Sequence, residues 1–302
     1  MQLHSIVSSS SSSSTMATIE GLTTVLIHGL DSSSQTWTKK NILNSLPTRC
    51  CIAMDQRGCG RSELGDPAEF SQEALVQDIH ELILQQQQQL VAETHNKNDD
   101  ELDHPKILLL GHSLGGRIAL AYAATHPQHV AALVIEDMDI QVRPIETAPF
   151  PVVITDGASF DRQSETLEAA ITKLKDSGYP VSRIDRWVEE GRIEPQEDGS
   201  YWSHVNPLFR KFCYQHVLGT VKGKQDCQSI ANGSQSMSFP VHLLVAGSEG
   251  TVCKEDSVQE MKAILGDRLT IHRYPTAGHS IHSSATEEFL QTMESIIADV
   301  SS

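Results

Sequence analysis

Aromatic side chains make up only 5% of the 302 residues, and basic residues are outnumbered by acidic ones, 23 to 39, for a formal charge of −16. With so little positive charge and no basic stripe, neither a nucleic-acid backbone nor an anionic membrane surface is expected as the main partner. Long apolar runs are missing too, so no segment reads as a transmembrane helix. The six cysteines, at 50, 51, 59, 213, 227 and 253, show neither C-x-x-C spacing nor the density of a small secreted scaffold. A reducing, cytoplasmic setting follows, with Cys50 and Cys51 as packing residues. The dispersed histidines also lack metal-ligand spacing, so neither metal nor cofactor is expected. Residues 1–19, dominated by a serine tract, have no basic n-region and no continuous apolar h-region. They are expected to be disordered, with mitochondrial or other organellar targeting the lesser alternative, since transit peptides are usually rich in arginine.

What the chain does have is concentrated between Ile107 and Thr125. Ile107, Leu108, Leu109 and Leu110 form a short apolar run that leads straight into Gly111-His112-Ser113-Leu114-Gly115, and Ile118, Ala119, Ala121, Tyr122 and Ala123 then supply an apolar helical face. Strand, sharp turn and helix are therefore predicted, with Ser113 at the apex. In a G-x-S-x-G turn the flanking glycines leave the hydroxyl uncrowded, and the N–H of the next residue, Leu114, can face a developing oxyanion.

Around this centre the chain alternates strands and helices, the pattern of an α/β domain over residues 20–302. Thr24 to Ile27 is a strand ending in His28-Gly29-Leu30, whose loop can offer the Leu30 N–H as a second oxyanion donor. His28 is read chiefly as a buttress of that loop and as a candidate substrate contact. A strand through Cys51 to Met54 ends in Asp55-Gln56-Arg57-Gly58, where Asp55 and Arg57 are expected to pair or cap. Ser71 to Ile83 is a helix, extended through the glutamine run. His129 to Ile135 is a buried strand that terminates in Glu136, Asp137 and Asp139, carboxylates too costly to bury unpartnered. Pro240 to Gly247 and Leu269 to Tyr274 are further strands, the last leading into Ala277-Gly278-His279. Phe289 to Val300 closes the chain as an amphipathic helix.

Residues 140–238 break the rhythm and read as a mainly helical cap insertion. Helical patterns cover Ser164 to Leu174, Val181 to Glu190 and Asn206 to His216. The aromatics of this region must pack it onto the core, and Trp202 is the candidate to line an apolar substrate entrance.

A serine at an elbow and a histidine on a late loop suit nucleophilic acyl transfer, in which a neutral imidazole takes the hydroxyl proton and a carboxylate fixes the imidazole tautomer. Ser113 and His279 fill the first two roles. His282 is the rival base but sits at the start of the next helix, and the residues alone leave several carboxylates open.

Together, the strand–His-Gly loop, the D-x-R-G-x-G-x-S segment at 55–62, the G-H-S-L-G-G elbow at 111–116 and the A-G-H at 277–279 resemble the α/β-hydrolase fold superfamily. Trp202-Ser203-His204-Val205-Asn206 looks like the W-R-V-N cap segment, and Ile135-Glu136-Asp137 like the strand ending in V-D, of a compact serine esterase group that includes bacterial short-chain esterases and a mitochondrial eukaryotic branch. The resemblance implies a mostly parallel central sheet flanked by helices. It also bears on the acid. Many relatives carry an aspartate three residues after the glycine matching Gly247, where this chain has Gly250, whereas the esterase group places its acid at the position of Asp137. Asp139, Glu249 and Asp256 are the alternatives. The implied activity is hydrolysis of short or medium acyl esters, small molecules, or of thioesters. A carbon–carbon bond hydrolase, an acyltransferase and a ligand-binding receptor-like member of the fold are the other readings.

Overall fold

The computed structural model describes residues 1–9, 19–94, 106–149, 159–233, 238–248 and 251–301. Its centre is a seven-stranded sheet in the order β1 (Ser5–Ser9), β3 (Thr48–Met54), β2 (Ile19–Ile27), β4 (Ile107–His112), β5 (Val130–Glu136), β9 (Val241–Ala246) and β10 (Leu269–Tyr274). All neighbouring pairs are parallel except β1 with β3. Parallel pairing requires crossovers, which helices supply, and it buries both sheet faces. β4 accordingly has every residue buried, which is why it reads as an unbroken apolar run.

The side-chain alternation along each strand divides the core in two. Val25, Ile27 and Leu109 point to one face, where α3 (Gln72–Thr94) contributes Leu75 and Ile79, α4 (Leu114–Thr125) contributes Ile118 and Tyr122, and α9 (Glu255–Leu265) contributes Val258 and Met261. Leu26, Leu108, Leu110 and Val134 point to the other, covered by Trp37 of α1 (Gln35–Thr38), Ile42 and Leu43 of α2 (Ile42–Ser45), and Phe289, Met293, Ile296 and Ile297 of α10 (Thr286–Val300). Each such fully buried side chain contributes about 1.5–3 kcal/mol. All six cysteines are buried, and none is joined in a disulfide among the described residues. No helix among the described residues is long and apolar enough to cross a membrane.

Two features differ from the sequence expectation. Residues 5–9, within the stretch expected to be disordered, form β1, and residues 10–18 lie outside the described residues. An edge strand needs mainly backbone groups to pair, and Ser-Ile-Val-Ser-Ser supplies them in register with Cys50 to Met54. His4 adds a 2.8 Å contact from Nδ1 to Asp55 Oδ2. The second difference lies in the insertion. Besides α5 (Leu167–Asp176), α6 (Val181–Glu189), α7 (Pro207–Cys213) and α8 (Lys222–Asn232), it carries a three-stranded antiparallel sheet of β6 (Gln163–Ser164), β8 (Tyr201–Ser203) and β7 (Ile193–Pro195). Strands of two or three residues are too short to show a period of two. Helices and small sheet together enclose their own apolar cluster, which includes Leu174, Ile184, Trp187 and Val205.

Candidate active site

Ser113 stands alone between β4 and α4 with φ 53° and ψ −125°, backbone angles that an L-residue adopts only under constraint. The constraint is visible. The Ser113 N–H donates to the Glu136 carbonyl (2.9 Å), and the Gly116 N–H donates to the Ser113 carbonyl (2.8 Å). A Cβ on Gly115 would lie 2.3 Å from the Ile27 carbonyl oxygen, so only glycine lets α4 start this close to β2. Leu114 is the first residue of α4, and its N–H is one of the donors that a helix start leaves without an intrahelical partner. Leu30 lines the same cavity as Ser113.

At the end of β5 three acidic residues take three different partners. Asp137, fully buried and itself at φ 42°, accepts from His279 Nδ1 at 2.6 Å, and its carboxylate also accepts the Val252 N–H (3.0 Å) and the Cys253 N–H (3.3 Å). The loop after β9, where many relatives would carry their acid, thus supplies donors to Asp137; Glu249 and Gly250 lie outside the described residues. Asp139 is held by Arg143 in two hydrogen bonds of 2.6 and 2.8 Å. Glu136 accepts both the backbone N–H and Nδ1 of His282 (2.9 and 2.8 Å), while His282 Nε2 meets Thr36 Oγ1 at 2.8 Å. His282 is therefore occupied in the interior, away from Ser113's role. Asp256 begins α9.

His112 completes the arrangement. Burial holds its imidazole well below the ordinary range, so the ring is neutral and Nε2–H donates to the His279 carbonyl at 3.1 Å. His112, Glu136 and His282 bring ligand-type atoms within 4.8 Å of one another, which their sequence spacing does not reveal, but His282 already spends both ring nitrogens on Glu136 and Thr36. The cluster braces the turn carrying His279.

Ser113 and His279 open onto one cavity of about 570 Å³. Its wall differs from the expected apolar entrance. Trp187 is there, but so are Arg183 and Arg186 of α6, Arg192 and Arg210, against Asp31 and Glu190. The two residues proposed as substrate contacts are elsewhere. His28 is fully buried beneath the loop, its Nε2 accepting the Gln56 N–H (3.1 Å), and burial lowers its pKa to about 4. Trp202 donates from Nε1 to the Gly60 carbonyl (2.8 Å), with Arg162 4.5 Å from its ring centroid. A half-buried indole needs a partner for its N–H, and here that partner fastens the insertion to the 55–62 loop. Within that loop Asp55 and Arg57 do not pair, but Asp55 caps it, the other form of the expectation. Asp55 accepts the N–H groups of Ser34 (2.6 Å) and Arg61 (2.9 Å), and Arg57 forks onto Asp78 of α3 at 2.6 and 2.7 Å.

Missed by sequence reasoning were the Glu136–His282–Thr36 contacts and the arginine wall. The second had a signal, since Arg183 and Arg186 stand at i and i+3 and so share one face of α6.

Residues 24–156 match the family described as the alpha/beta hydrolase fold. An esterase from a marine microorganism superposes with a TM-score of 0.64 at 20% identity, covering 98% of this chain and 99% of that one. The chain has the α/β-hydrolase fold. Among curated proteins, the chain is 31% identical over 113 residues to a Bacillus subtilis protein named for 2-succinyl-6-hydroxy-2,4-cyclohexadiene-1-carboxylate synthase, covering 37% of this chain and 35% of that one. The soluble epoxide hydrolase of Corynebacterium sp. is 24% identical over 229 residues, 73% of this chain and 72% of its own length. This chain thus aligns with about a third of the first of these relatives and nearly three quarters of the second. In the α/β-hydrolase fold ligands approach the carboxyl ends of the strands, and Ser113, Asp137 and His279 all follow such ends.

Proposed function

We propose that the protein hydrolyses carboxylic esters of short or medium acyl chains through an acyl-enzyme on Ser113. The observation that carries this reading is the 2.6 Å contact between His279 Nδ1 and Asp137, made by a histidine that shares its cavity with Ser113. With Nδ1–H donated to a buried carboxylate, Nε2 is left as the base. Ser113 Oγ attacks the ester carbonyl as His279 takes its proton, and the N–H groups of Leu30 and Leu114 receive the oxyanion. His279 then protonates the departing alcohol, and the same ring activates the water that releases the acid. Asp137 offsets the imidazolium charge in both halves. The resemblance to the compact serine esterase group and the esterase likeness in fold support the same reading.

Ester, thioester and β-diketone panels, with identification of the products, test it. Simple esters should yield acid and alcohol, and folded Ser113→Ala should lose that activity by at least about 10⁴-fold. Cleavage of diketones with no ester turnover would instead place the chemistry at carbon–carbon bonds. Saturable ligand binding without turnover would indicate a receptor-like role.

A further inference from the structure

The walls of the Ser113 cavity run against the charge of the whole chain. In a protein of net charge −16, four arginines and two carboxylates face this one space. The carboxylates are already engaged. Asp31, buried and at φ 55° just beyond Leu30, accepts from Arg210 Nη1 at 2.5 Å and from the Tyr179 hydroxyl at 2.8 Å. Glu190 binds Arg192 Nε at 2.6 Å. Arg183 shares Asp31 with Arg210, at 3.5 Å, and the guanidinium of the exposed Arg186 makes no hydrogen bond or ion pair among the described residues. Positive charge is therefore left in excess on the face of α6 that looks toward the catalytic serine. A scaffold salt-bridge network would have no need of that excess.

We infer that the substrate is an ester bearing a free carboxylate, such as a monoester of a dicarboxylic acid, whose carboxylate is received by Arg183 and Arg186 while its ester carbonyl lies at Ser113. A guanidinium presents paired donors that match the two oxygens of a carboxylate, and partial enclosure by the insertion strengthens the contact relative to open solvent. The acidic exterior repels anions, but that repulsion fades over about 8–10 Å at ordinary ionic strength, whereas the arginines act at contact distance. This inference rests on the ester-hydrolase reading for its chemistry, though not for its binding.

Two measurements keep the two ideas separate. In the first, p-nitrophenyl hydrogen glutarate is compared with p-nitrophenyl hexanoate, of similar length and no acyl charge. The anionic ester should have a kcat/KM about tenfold higher. Arg186→Gln should raise its KM by about fivefold with little change in kcat, and leave the neutral ester unaffected. In the second, calorimetric titration of Ser113→Ala with glutarate should give saturable binding that weakens in Arg186→Gln and at 0.5 M salt, here a concentration of roughly half molar chosen to screen charges. Turnover of the neutral ester with no preference for the anionic one would overturn the carboxylate inference and leave the hydrolase reading standing. If neither ester is turned over, glutarate binding that depends on Arg186 still supports the inference, and its absence overturns it.

Discussion

Asp137 is the residue on which the assignment turns, because its neighbours Glu136 and Asp139 follow the same strand. The three are distinguished by their partners: His282 for Glu136, Arg143 for Asp139, and only Asp137 reaches His279. Asp137→Asn should leave the fold intact yet lower the acylation rate by roughly 100-fold to 10,000-fold, since an amide can donate to Nδ1 and so favour the wrong tautomer. Asp139→Asn should cost far less activity, because its carboxylate pairs with Arg143 and not with His279. Single-turnover acylation rates beside circular dichroism check both. That Ser113 stands alone at an elbow was legible in the sequence, because the G-x-S-x-G turn between a strand and a helix restricts residue type; the contact between His279 and Asp137 was not legible from the residues, which left several carboxylates open, and only the family resemblance pointed to Asp137. The chief reading of His28, as a buttress of its loop, agrees with its buried place, whereas its alternative as a substrate contact and the placing of Trp202 at an entrance do not, because nothing in a sequence says whether a polar ring faces a cavity or serves a backbone group. His28 serves Gln56 and Trp202 serves Gly60.

Among the elements, those buried on both faces were the easiest to read. β4 and β9 stand out as apolar runs, and β10 was expected over the residues it occupies. Elements that owe their form to a neighbour were harder. β1 exists because β3 would otherwise offer an unpaired edge, and its own composition argues for disorder. The β7–β8 pairing is set by only three register contacts across an acidic, glycine-containing turn that reads as a loop. In the insertion, the helical periods of α5, α6 and α7 gave a mainly helical expectation, which holds, with the small sheet added to it. The place of the α6 arginines shows only when α6 is brought to the cavity of Ser113 and His279, a placement no local pattern specifies.

At the scale of the molecule, several histidines are buried as neutral rings. Burial lowers the pKa of His28 and of His242 to about 4, and that of His112 well below its usual value. In the unfolded chain all three titrate near 6.5, so between about pH 6.5 and 4 the unfolded state binds more protons than the folded one. Stability should therefore be full above about pH 6.5 and decline as pH falls through that window. Asp55 adds a second loss at lower pH. Burial by itself would raise its pKa, but the His4 hydrogen bond and the backbone donors outweigh this and lower it to about 2, so its contribution disappears as pH drops below the ordinary carboxylate range. Urea midpoints at pH 7, 5.5 and 4.5 should fall in that order, with proton uptake on unfolding in the two acidic buffers. Midpoints that stay level across this range would mean that these rings are solvated or charged in the folded state.

The most direct test of the central claim is the identity of the residue that becomes acylated. Treatment of the intact protein with a fluorophosphonate, followed by proteolysis and mass spectrometry of the peptides, should give one adduct per chain, on Ser113, with ester hydrolysis lost in proportion to labelling. An adduct on another residue, or undiminished hydrolysis by a protein fully labelled at Ser113, would contradict the acyl-enzyme mechanism.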